Sequence, residues 1–148
     1  MINKMNELNR MGGIISARLY PISDVEFCFV RHGLTYLLAN ESKAVELPVI
    51  TFRSVCENDA EMKGSGVYYT TNLALPIKNK PATLEGCLQC GCIAVVTSPS
   101  GCRWVFGSEK YPLLGHCTPK LGTSPADGNH YLVVLESSDN VQVCPLAD

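Results

Sequence analysis

The sequence predicts a mainly β fold, a β-sandwich or barrel of about seven to eight strands, with one short α-helix near residues 83–89. Three observations predict it. Apolar and polar residues alternate over several runs, most cleanly at Val67–Ile77, where Val67, Tyr69, Thr71, Leu73, Leu75 and Ile77 share one face. Gly, Pro, Asn and Ser clusters punctuate these runs at intervals suited to short strands. One stretch alone has persuasive helical spacing: Thr83–Gln89 places Leu84, Cys87 and Leu88 at i, i+3 and i+4. A chain of 148 residues suits one domain with a real core. We expect residues 1–13 to be a flexible or partner-docked arm and residues 14–148 to form a single β-rich domain.

In chain order, Met1–Gly13 is rich in Asn and ends in Gly12–Gly13, which weakens any helix there, although Met5, Leu8 and Met11 would share a helical face. Ile14–Tyr20 alternates and stops at Pro21, as a half-buried strand does. Ser23 and Glu26 have capping-box spacing for one helical turn, and Val25, Phe27 and Phe29 alternate into a strand through Glu26–Arg31. His32–Gly33 predicts a tight turn into Leu34–Leu38, with Gly33 supplying a positive φ. After a polar turn at Asn40–Lys43, Val45–Val55 reads as one long strand with Pro48 at an edge or bulge. Cys56–Gly66, with Glu57, Asp59 and Glu61, reads as an exposed loop. Beyond the helix, Cys92–Thr97 is a continuous apolar run, which suits a strand covered on both faces. Ser98–Gly101 turns it into Cys102–Phe106. Gly107–Leu114 reads as a loop and Gly115–Asn129 as irregular surface chain; His130–Glu136 and Val141–Cys144 read as the last strands.

Composition narrows the function classes. Apolar residues make up 46% of the chain and charged residues 18%, which opposes wholesale disorder. A formal charge of −2 opposes general duplex binding, which needs a basic face to replace phosphate counterions. No apolar run is long enough to cross a bilayer, so no membrane insertion is expected. The N-terminus lacks the apolar heart of a secretory signal, which implies synthesis in a reducing cytoplasm. Eight cysteines in that setting are expected to be free thiols or metal ligands rather than disulfides.

Those cysteines carry the strongest candidate chemistry. Cys87-x2-Cys90 has zinc-ligand spacing, and Cys92, Cys102, His116 and Cys117 are the residues that would complete a tetrahedral site. Against this, no second C-x2-C follows, Cys87 falls in the helix stripe, Cys92 falls in the buried strand, and free cysteine behaves as a small buried hydrophobe. His116-Cys117 has the residue types of a base and nucleophile, but neighbours on an extended chain point to opposite sides. His32 reads as a turn residue and His130 as a strand opener. Glu57, Asp59 and Glu61 lack the rest of a calcium loop and read as a solvated face. There is no G-x-S-x-G, P-loop or dinucleotide fingerprint. Trp104 beside Arg103 suits either an interface anchor or a core position.

From Gly66 onward the order of parts is distinctive. A strand with a tyrosine pair (Tyr68-Tyr69) leads to a short helix carrying Leu84 and Leu88. An apolar strand, a Gly-centred turn and Trp104-Val105-Phe106-Gly107 follow, then Pro112-Leu113, a Gly-rich loop and a final strand at Tyr131–Leu135. Over roughly the C-terminal half to two-thirds of the chain this layout resembles small virion proteins of tailed bacteriophages and prophages, of the kind found in tails and necks. The resemblance implies a non-enzymatic subunit of a tail tube, tail terminator or head-tail connector, made in the host cytoplasm and working in the virion. Its implied partners are copies of itself in a ring or tube, other virion proteins, and DNA passing through a channel without sequence-specific contact. It implies no cofactor, no metal and no catalytic residues. Two alternatives stand beside it: a zinc-binding adaptor using Cys87, Cys90 and Cys92, and a small thiol enzyme.

Overall fold

The computed structural model describes residues 14–50, 54–64, 66–121, 129–139 and 141–147; the expected N-terminal arm, residues 1–13, lies outside them. Among the described residues the chain is mainly β, with eleven strands in three open sheets and one short α-helix. The order is β1 (Ser16–Pro21), β2 (Val25–Arg31), β3 (Leu34–Ala39), β4 (Val45–Leu47), β5 (Val55–Lys63), β6 (Gly66–Ile77), α1 (Leu84–Cys90), β7 (Cys92–Thr97), β8 (Arg103–Phe106), β9 (Leu114–Lys120), β10 (His130–Asp139) and β11 (Cys144–Pro145). Single 3-10 turns at Ile22–Asp24 and Glu41–Lys43 precede β2 and β4.

A five-stranded sheet, ordered β11-β8-β7-β1-β4, packs face to face on a four-stranded sheet, ordered β5-β6-β10-β9. All named pairings are antiparallel. Between the sheets lie Ala17, Leu19, Leu47, Ala94 and Val96 from one side and Leu73, Leu75, Ile77, Val133 and Leu135 from the other. Helix α1 adds Leu84, Cys87 and Leu88 to this core, so its apolar stripe faces inward as its spacing predicts. Each large side chain fully buried here contributes about 1.5–3 kcal/mol relative to exposure. The sandwich alternative of the predicted fold class is the one realised.

The β2–β3 hairpin makes a third layer. It lies on the other face of the five-stranded sheet, packing Cys28, Leu37 and Ala39 against Tyr20, Ile93, Val95 and Val105. Strand β7 is therefore covered on both sides, which is why Cys92–Val96 is apolar without a break. His32 and Gly33 both adopt positive φ (54° and 76°), the twist that a two-residue hairpin turn requires.

Three segments differ from the sequence reading. The strand expected at Val45–Val55 ends at Leu47. Pro48 has no N–H for the ladder, and the chain crosses there to the second sheet, where Val49 bridges Ile77. Residues 51–53 lie outside the described residues. The loop expected at Cys56–Gly66 is mostly strand β5, paired with β6 from Val55↔Ala74 to Lys63↔Gly66. The irregular chain expected from Gly115 is strand β9 up to Lys120, paired with β10. Pro119 is tolerated because β9 is an edge strand. Gly115 is needed at its position, since a Cβ there would overlap the Val134 carbonyl oxygen and approach Leu135 Cδ2 to 2.9 Å. The short last strand is Cys144–Pro145 rather than Val141–Cys144.

Candidate functional site

The fold disperses the cysteines. All eight are free thiols. Cys87, on the inward stripe of α1, and Cys92, at the start of β7, hydrogen-bond each other inside the main core. That bond and burial push the Cys92 thiol far up, so the proton stays on sulfur. Cys90 is exposed at the end of the same helix, and Cys102 is half-buried beside the β7–β8 turn. Burial, with the charges of Glu109 and Asp139, pushes the Cys28 thiol up to about 11, and burial alone pushes Cys56 up to about 12. Among the described residues no three His, Cys, Asp or Glu side chains are grouped to hold a metal ion. The spacing Cys87-x2-Cys90 thus joins a core residue to a surface one.

The remaining sequence candidates sit apart. His116 and Cys117 occupy successive positions of β9, with His116 exposed and Cys117 packed against the main core, as an extended chain requires. His32 is in the β2–β3 turn and His130 opens β10 opposite Lys120. Trp104 packs partly buried against the main core, while Arg103 beside it is exposed. Glu57, Asp59 and Glu61 line the outer face of β5.

Two surface features stand out instead. The first is the outward face of the β2–β3 hairpin. The pairs Phe27↔Leu38 and Phe29↔Tyr36 lie on the side away from the core and remain 39, 46, 47 and 37% exposed respectively. The three rings pack on one another, with Phe27–Phe29 centroids 5.5 Å apart and Phe29–Tyr36 stacked at 5.3 Å. Leu34 extends the patch. A cavity of about 330 Å³ opens beside it, lined by Cys28, Phe29, Val30, Val105, Tyr111 and Val143, among others.

The second is the far end of the β5–β6 hairpin. Asn58 marks where the sandwich ends: its Nδ2 donates to Thr71 Oγ1 across the strand pair, and its Oδ1 accepts from the Val143 N–H. Beyond it the β5–β6 ladder continues for five more residue pairs; β10 flanks β6 as far as Asp139↔Tyr69, and past that point Glu61, Met62, Val67 and Tyr68 are exposed on a two-stranded ribbon. The side that continues the core face carries Ala60, Met62, Val67 and Tyr69, and Met62 is 85% exposed. The opposite side carries Asp59 and Glu61 with Tyr68 and Thr70. Sequence reasoning missed this hairpin, although Cys56, Asn58, Ala60 and Met62 alternate with the acids at the period of a strand.

No helix among the described residues is long and apolar enough to cross a membrane. Comparison of the chain with protein-family models, with curated proteins and with solved structures returns no match.

Proposed function

We propose that this chain is a structural subunit that works by assembly, a tail or neck component of a phage or prophage virion that joins copies of itself into a ring or tube. The observation that carries the reading is the outward face of the β2–β3 hairpin. Phe27, Phe29, Tyr36, Leu38 and Leu34 together expose roughly 400 Å², taking about 150–250 Å² for each large side chain and the fraction of each left uncovered. A patch of that size is at the level where monomers carry a functional contact. A rigid two-sheet core fixes subunit shape, and closed rotational symmetry then makes a ring. The order of parts from Gly66 to Leu135 supports the virion assignment by resemblance. A near-neutral subunit lining a channel would let DNA slide past without sticking, and the formal charge of −2 agrees with this.

The test is native mass spectrometry of reduced protein in metal-free buffer. A discrete ring mass without bound metal is expected. A monomer carrying one zinc per chain, which loses metal and fold together on chelation, would overturn the proposal in favour of an adaptor.

A further inference from the structure

We infer that the contact between copies is head-to-tail, with the β5–β6 tip of one copy docked on the outward β2–β3 face of the next. This rests on the assembly reading above and specifies its geometry.

The first ground is the tip itself. A two-stranded ribbon with water on both faces is marginal at best. Here β10 flanks β6 as far as Asp139↔Tyr69, and beyond it β5 and β6 alone hold register from Glu61↔Tyr68 to Lys63↔Gly66. Its underside (Ala60, Met62, Val67, Tyr69) is apolar, with Met62 85% and Val67 38% exposed. The second ground is match. From Ala60↔Tyr69 to Lys63↔Gly66 the tip spans three steps of about 3.4 Å, roughly 10 Å, and it fits within the β2–β3 face, which spans roughly 14 Å from Phe27 to Arg31.

The third ground is the exclusion of symmetric alternatives. Two β5 edges paired with each other would set Glu57, Asp59 and Glu61 of one copy against the same acids of the other, and like charges facing across strands oppose pairing. Two β2–β3 faces packed together would leave both tips bare. Tip on face covers both apolar patches with one kind of contact. The exposed parts of Met62 and Val67 add roughly 200 Å² to the roughly 400 Å² of the face, and an interface of average composition, about 57% apolar, that buries both comes to roughly 1,000 Å², the threshold for a specific interface. Because the two patches lie on different parts of the chain, the contact is heterologous and propagates until the rotation closes.

The experiment uses two charge variants of the full chain, Met62→Asp in the tip and Phe29→Asp on the face, with native mass spectrometry and sedimentation. Circular dichroism should match the parent for both; the urea midpoint should hold for Met62→Asp, which is 85% exposed, and fall modestly for Phe29→Asp, which is 47% exposed and loses its ring contacts with Phe27 and Tyr36. Each variant alone should associate at least about 30-fold more weakly than the parent, the loss of one interface anchor. Mixed one to one, they should form a heterodimer and nothing larger. The Phe29→Asp copy keeps a working tip, the Met62→Asp copy keeps a working face, and the other two half-sites are dead. An assembling parent whose Met62→Asp variant still assembles overturns the head-to-tail contact while leaving the assembly reading intact. A parent that stays monomeric from micromolar to millimolar concentration overturns both. Two variants that are monomeric alone and also when mixed overturn the inference, because they show that the two patches do not meet each other.

Discussion

Replacing Gly115 by alanine tests the β9–β10 register more sharply than a core truncation does. The added methyl carbon would overlap the Val134 carbonyl oxygen, with the Val134 carbonyl carbon at 2.8 Å and Leu135 Cδ2 at 2.9 Å. Two of these neighbours are backbone of a central strand, so relief has to come from β9 moving away by roughly 1.5 Å, the distance needed to restore ordinary van der Waals separation. Overpacking of this kind costs about 1–3 kcal/mol. Each ladder hydrogen bond stretched past use adds about 1 kcal/mol. The stiffer unfolded chain offsets about 0.4–1 kcal/mol of this. The net expectation is a loss of about 2–3 kcal/mol, or a Tm lower by roughly 5–10 °C for a chain of this size. Urea unfolding followed by circular dichroism gives the value directly, with the slope m unchanged. Gly86→Ala is the internal control. Nothing lies within 4 Å of a Cβ at Gly86, which sits inside α1, so the same chemical change should stabilise by up to about 1 kcal/mol. A Gly115→Ala variant within 0.5 kcal/mol of the parent, by the convention for surface changes, would refute the close approach and with it the register Gly115↔Leu135.

The thiols give a pH prediction. Cys28 and Cys56 hold their protons more tightly when folded, so above the ordinary thiol range the unfolded chain binds fewer protons than the native one. Stability from these groups should be full below about pH 9 and fall between pH 9 and 12; a urea midpoint constant across that window would contradict it. Alkylation of the native protein at pH 8, mapped by peptide mass spectrometry, should label exposed Cys90 well before Cys28 and Cys56, and equal rates would show those two are not shielded. Asn58→Ala should cost about 1–2 kcal/mol and raise amide exchange at Val143, because one side chain holds both Thr71 and the C-terminal segment; unchanged exchange at Val143 would remove that role. Arg18→Ala should cost less than about 1 kcal/mol, since its bonds to Glu41 and Glu46 lie in solvent, and a larger loss in denaturant titration would show the pair to be shielded.

What the sequence disclosed and what it hid divide along one physical line. Strands whose environment is their own core were legible: β6 shows its buried face as Leu73, Leu75 and Ile77, and β7 shows double cover as an unbroken apolar run. The two hidden strands are both edges. β5 carries three acids and β9 carries a glycine and a proline, the very residues that protect an edge from unwanted pairing. Charge and proline look like loop chemistry until the period is checked, and in β5 the period of two runs unbroken from Cys56 to Met62.

The surfaces proposed for assembly were hidden for the converse reason. Alternation in β2 reveals that Phe27 and Phe29 share a face, yet Cys28 on the other face is the residue that meets the core. Period alone marks an apolar side without saying whether the chain itself or a neighbour covers it. In a subunit built to assemble, a face reserved for a neighbour needs the same residues as a core face, so only the fold distinguishes them. That is why Met62 and Phe29, both unremarked as functional residues in the sequence, become the two positions at which a single charge tests the proposed association.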